Sequence, residues 1–86
     1  MSEDLRLESK GAVPCAVLDV RPYHERGEEP FQAIMDVVYA LKDAQQLLLI
    51  NSFNPKPLVR VMDKRGYDAV SREVSPEEWH VLFSPR

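Results

Sequence analysis

Asp19, Arg21, Tyr23, His24, Arg26, Glu28 and Glu29 crowd one short stretch of the chain. These residue types cover a lot of chemistry. Carboxylates and an imidazole can exchange protons. A guanidinium can grip an anion through two parallel hydrogen bonds. His24 with Glu25, Glu28 and Glu29 has the donor types of a divalent metal site. Their spacing matches no strong ligand pattern, however, and the other histidine, His80, is far away in sequence. No metal or cofactor is therefore expected. For acid–base work, His24 beside Glu28 or Asp19 would serve, yet no nucleophile, oxyanion hole or cofactor loop accompanies them. Gly27 belongs to no phosphate-binding glycine series. The pattern fits recognition better than catalysis.

A second polar stretch follows an apolar run. Asn51-Ser52-Phe53-Asn54 leads into Pro55-Lys56-Pro57-Leu58. Helix starts carry unpaired amides and the positive end of the helix dipole, so two such starts side by side would attract an anion or an acidic tail. Asn54 is the expected side-chain cap. The expected binding set is Asp19, Arg21, His24, Glu28, Glu29, Asn54 and Lys56. Its structural alternative is a solvated loop in which Asp19 and Arg21 pair with each other. Cys15 is the single thiol, so no internal disulfide forms. It is read as a small buried hydrophobe, and it is also the one candidate reactive thiol.

The elements that must position these residues follow from hydropathy and turn chemistry. Residues 15–20 are mostly apolar and read as a strand. Residues 21–29 read as a loop. Pro30 opens a helix over 30–43, where a proline costs no internal hydrogen bond. Glu28 and Glu29 precede it at the positive end of its dipole. Phe31, Ile34, Met35, Val38 and Leu41 recur at helical spacing and form its apolar stripe. Residues 47–50 are a continuous apolar run, the mark of a central strand covered on both faces or nearly so. A second helix spans 56–65, with Leu58, Val61 and Met62 facing inward and Gly66 ending it. Strands over 67–74 and 79–83 flank a tight turn, with Trp79, Val81 and Phe83 on one face.

The element order is therefore β-α-β-α-β-β. A right-handed crossover joins the first two strands. The prediction is an α+β two-layer sandwich, a mixed four-stranded sheet with two helices on one face. In such folds ligands favour the carboxyl ends of parallel strands, which is where both helices start. Residues 1–13 read as a tail, with Leu5 and Leu7 offering at most a short edge strand. Residues 14–86 form the one domain.

Composition narrows the classes further. The chain has 86 residues, 44% of them hydrophobic, and a formal net charge of −3. That length suits one small domain whose core is marginal. A homodimer formed through an edge strand would be one remedy. The negative balance argues against nucleic acid, and Trp79 and Phe83 read as core rather than a base-stacking platform. No apolar run reaches the ~20 residues of a membrane span, and the start lacks signal-peptide character. A cytoplasmic location is the expectation, and one unpaired thiol suits a reducing compartment.

Leu18-Asp19-Val20-Arg21, Glu29-Pro30-Phe31, Pro55-Lys56-Pro57-Leu58, Arg65-Gly66-Tyr67 and Glu78-Trp79 together carry a resemblance. The chain resembles the TusA/SirA family of small sulfur-carrier proteins. Within it, the match is to the uncharacterised branch known as domain of unknown function 2249. The resemblance implies the same two-layer fold over roughly residues 16–83. Sulfur carriers of this type have Cys-Pro-x-Pro at the start of the first helix, and this chain has Gly27-Glu28-Glu29-Pro30. Gly27 stands where the cysteine would be, so the resemblance carries the fold and not the sulfur relay. Similar domains are often joined to hemerythrin-like domains, which implies links to redox, metal or nitrogen-oxide physiology. The expected function is a non-catalytic binding or accessory module for a protein partner or small anion. The alternative is a sulfur-trafficking protein, a persulfide carrier acting through Cys15 or a module docking to a cysteine-bearing partner.

Overall fold

The computed structural model describes residues 14–86. The expected tail, with Leu5 and Leu7, lies outside the described residues. The strands are β1 Ala16–Asp19, β2 Leu47–Asn51, β3 Tyr67–Ser75 and β4 Glu78–Pro85. The helices are α1 Arg21–Glu25, α2 Phe31–Ala40 and α3 Lys56–Lys64. The sheet order is β1-β2-β4-β3. β1 and β2 run parallel in the register Ala16 to Leu47 and Asp19 to Ile50. β4 is antiparallel to both β2 and β3. The expected mixed four-stranded sheet and two-layer architecture are present.

The period of two along the strands decides what is inside. On β2, Leu47, Leu49 and Asn51 are buried, while Leu48 and Ile50 are half-buried. Val81 and Phe83 of β4 take the same inner face and are fully buried. Against it α2 sets Ile34, Met35 and Val38, and α3 sets Leu58 and Met62. Both long helices thus cover one face of the sheet. The expected cover of β2 is complete on its inner face and partial on its outer one. Among the described residues its outer face bears only half-buried side chains, because both helices are used on the other side.

Three local readings also change. Residues 21–25 are a short helix, not a loop. Asp19 explains it: its carboxylate accepts the Arg21 amide at 3.0 Å, and Pro22 supplies a preset first turn. Next, α2 stops at Ala40 instead of reaching residue 43, because Leu41 turns extended and Ala44 takes a positive φ of 65°. Lys42 consequently lies beyond the helix, in a turn where its amide donates to the Gln45 side chain. Finally, Cys15 is exposed rather than buried. It precedes β1 in phase with Val17, whose side chain is on the outer face and 62% exposed. Gly66 ends α3 as expected, with φ of 92°, a conformation that side chains with a Cβ adopt only under strain.

Candidate functional site: a cleft between two helix starts

The parallel pair β1 and β2 ends at Asp19 and Asn51, and the two long helices start beyond that end of the sheet. Their first turns do not close over the sheet. Between them lies an open cavity of about 380 Å³. Val20 and Leu49 form its floor, Ile34 of α2 one wall, and Leu58 and Val61 of α3 the other. Pro30, Pro55 and Pro57 form the shoulders, and Phe31 and Phe53 stand at the mouth, 42% and 49% exposed. The local reason for the gap is chemical. Prolines at the starts of both helices fix the chain's approach, and the one flexible polar side chain there, Glu29, is held back by its bond to the Phe31 amide. Phe31, expected in the buried stripe of α2, is its first residue and lines the cleft instead.

Polar side chains reach this apolar cleft at two places, the His24–Asn51 pair and Glu29. Asn51 is 3% exposed and is the one buried polar residue among the described residues. Its Nδ2 donates to the Phe53 carbonyl at 3.0 Å. That bond orients the amide, so Oδ1 faces His24 Nε2 at 2.8 Å. An amide oxygen only accepts, which assigns the proton of the neutral imidazole to Nε2. The His24 ring also packs on Phe53, with centroids 5.0 Å apart and the planes tilted 55°. Glu29 is the remaining polar lining residue, and its Oε2 accepts the first amide of α2, Phe31 N, at 2.9 Å.

The expected binding set is divided by this geometry. His24 and Glu29 line the cleft. Asp19 and Arg21 lie in a separate depression with Ser52, Glu77 and Glu78. There Arg21 donates to both Asp19 oxygens, with Nη2 to Oδ2 at 2.7 Å, and reaches Glu78 at 3.2 Å. Arg21 holds the Asp19 carboxyl below the usual carboxylate range, chiefly through the side-chain hydrogen bond. Glu78 also meets His80 at 2.7 Å. Glu28 pairs with Arg26 at 2.9 Å, on the solvent side. Asn54 contributes its carbonyl to the Lys56 amide and makes no side-chain cap, so the capping expectation is corrected. The residue at that position is Pro55. Lys56 is exposed, outside the cleft lining.

The helix starts are also poorer anion sites than the sequence implies. Pro55 and Pro57 remove two of the amides that would line the start of α3, and Lys56 N is already bound to Asn54 O. At α2, the Glu29 carboxylate occupies the first amide. Among the described residues no group of three or more His, Cys, Asp or Glu side chains could hold a metal. Asn51 and Phe53 fall in the second polar stretch that the sequence marked, but neither was named in the expected binding set. One signal for Asn51 was available: it continues the inward phase of Leu47 and Leu49, so a polar side chain had to be buried there.

A family model described as "Uncharacterized conserved protein (DUF2249)" matches residues 17–85. The chain belongs to that family. The match begins inside β1 and ends at the last residue of β4, so both helix starts and the whole cleft lie within it. No curated protein and no solved structure matches the chain. The two-layer fold is compatible with the TusA/SirA-like resemblance. No helix among the described residues is long and apolar enough to cross a membrane.

Proposed function

We propose that this domain is a non-catalytic binding module and that the cleft between α2 and α3 is where a protein partner docks an apolar side chain. The observation that carries the reading is the cleft itself: an apolar cavity with one fixed polar pair, His24–Asn51, at the carboxyl ends of parallel strands. Phe31 and Phe53 at the mouth extend its apolar surface outward, where a protein partner would cover them. A small anion is the weaker ligand, because Glu29 and the prolines replace the amides it needs. Any link to redox or nitrogen-oxide physiology would come through the partner. In the alternative, a persulfide carrier, Cys15 would be the working thiol. Its exposure favours access, but it stands at the opposite end of β1 from the cleft.

Photo-cross-linking in cells tests the docking reading. A photoreactive phenylalanine analogue at position 53 is expected to capture one defined partner, and the same analogue at position 70, exposed on β3, is expected to capture none. The Val61→Glu change, which puts a charge in the cleft wall, is expected to abolish capture from position 53. Equal capture from both positions, or capture unaffected by Val61→Glu, would overturn the reading.

A further inference from the structure

The docking reading leaves open what the docked group is, and the cleft's polar atoms narrow it. With the Asn51 amide held by the Phe53 carbonyl, His24 Nε2–H is spent on Asn51 Oδ1. The imidazole then has one free function, the lone pair on Nδ1. None of the described residues donates a hydrogen bond to that atom, and His24 is itself part of the cleft lining. A ligand that fills the cleft with carbon alone would desolvate this acceptor without replacing its water, at a cost in affinity. A ligand bringing an N–H or O–H donor would satisfy it. A ligand whose polar atom only accepts would face a lone pair.

The remaining walls add two constraints. The space of about 380 Å³ is at the small end of the usual 300–1,000 Å³ range for ligand pockets, roughly suited to one ring system. Its mouth, with Phe53 tilted against His24 and Phe31 also in the lining, offers ring faces and edges to an aromatic group. Glu29 stands on the rim with one oxygen used by the α2 amide. Its negative charge disfavours an anionic neighbour and favours a cation beside the aromatic group.

We infer that the cleft is built for an aromatic side chain carrying a hydrogen-bond donor, of the tryptophan type, presented by a partner segment with a neighbouring cation. The indole N–H meets His24 Nδ1, the ring lies among the aliphatic walls, and the cation faces Glu29. This rests on the cleft being the docking site, and the experiment separates the two failures.

The experiment is an NMR titration of the isotope-labelled full chain, following the amides of Val20, Leu49 and Phe53. The probes are indole, and benzothiophene as a ring of the same shape without the donor. Indole is expected to shift the cleft amides and to bind about 5–10-fold more tightly than benzothiophene, the worth of one hydrogen bond. In His24→Phe that preference should vanish. If His24→Phe does not fold, the wild-type contrast decides alone. Equal binding of the two probes would overturn the donor assignment and leave the docking site standing. Shifts from neither probe, or shifts away from the cleft, would overturn both. A third arm compares blocked tryptophanyl-lysine and tryptophanyl-glutamate dipeptides. The lysine form is expected to bind more tightly, and Glu29→Gln is expected to erase the difference. A preference for the glutamate form would overturn the cationic neighbour. Free indole binding far more tightly than either dipeptide would make this a small-molecule site and overturn the choice of a protein side chain.

Discussion

The His24–Asn51 pair offers the sharpest test of how the cleft is held, through a double-mutant cycle with His24→Phe and Asn51→Leu. His24→Phe keeps a ring against Phe53 but leaves Oδ1 of a side chain that is 3% exposed without its partner. A buried acceptor left unpaired costs about 1–3 kcal/mol, and the open cleft admits some water, so about 1–2 kcal/mol is expected. Asn51→Leu breaks two hydrogen bonds, at 2.8 Å to His24 and 3.0 Å to Phe53. At about 1 kcal/mol each this gives about 2 kcal/mol, partly offset by an apolar side chain on an apolar floor. The double variant has no orphaned Asn51 acceptor and loses the His24–Asn51 bond only once, while the Phe53 carbonyl loses its donor as it does in Asn51→Leu alone. The double variant should therefore be more stable than the sum of the single effects by about 1 kcal/mol. Urea unfolding followed by far-UV circular dichroism and by the fluorescence of Trp79, the single tryptophan, measures all four proteins. Heating gives the same comparison, at about 4–8 °C per kcal/mol for a domain of this size. Additive effects, within about 0.3–0.5 kcal/mol, would refute the pairing. An Asn51→Leu protein as stable as wild type would refute the claim that the amide organises the cleft.

The Asp19–Arg21 pair predicts an acid limb. Arg21 depresses the folded-state value of Asp19, so its contribution is fully present above the unfolded value near about pH 4 and is lost as pH falls through the lower folded value. Asp19 is 37% exposed and screened, so the effect is under about 1 kcal/mol. Asp19→Asn should flatten urea midpoints between about pH 4 and pH 2, and an unchanged slope would refute the assignment. For Cys15, exposure predicts that iodoacetamide modifies the native chain as fast as the urea-unfolded one, and that Cys15→Ala shifts stability by less than about 0.5 kcal/mol. Native protection of the thiol by more than tenfold would contradict its placement, as read by mass spectrometry over time.

The order of the four strands and the two long helices, the mixed sheet and the placing of both long-helix starts at one sheet edge were legible in the residues alone; the short helix α1 was not. The legible features follow from local rules: apolar periods of two and of about 3.6, prolines that start helices and Gly66 that stops one. The sequence also located the end of the parallel strands where a cleft would lie. Tertiary structure alone decided which side chains share that cleft. Asp19 and His24 are near neighbours in sequence, yet the one-turn helix α1 between them turns His24 toward Asn51, 27 positions on, and leaves Asp19 with Arg21 and Glu78. No local pattern encodes that partition, because it depends on which face each side chain takes after a turn. The same holds for the anion expectation, which counted helix starts where what mattered was how many amides remained unpaired once Pro55, Pro57 and Glu29 were in position. Cys15 shows the limit from the other side. Its residue type favours burial, and one strand position, in phase with Val17, put it outside.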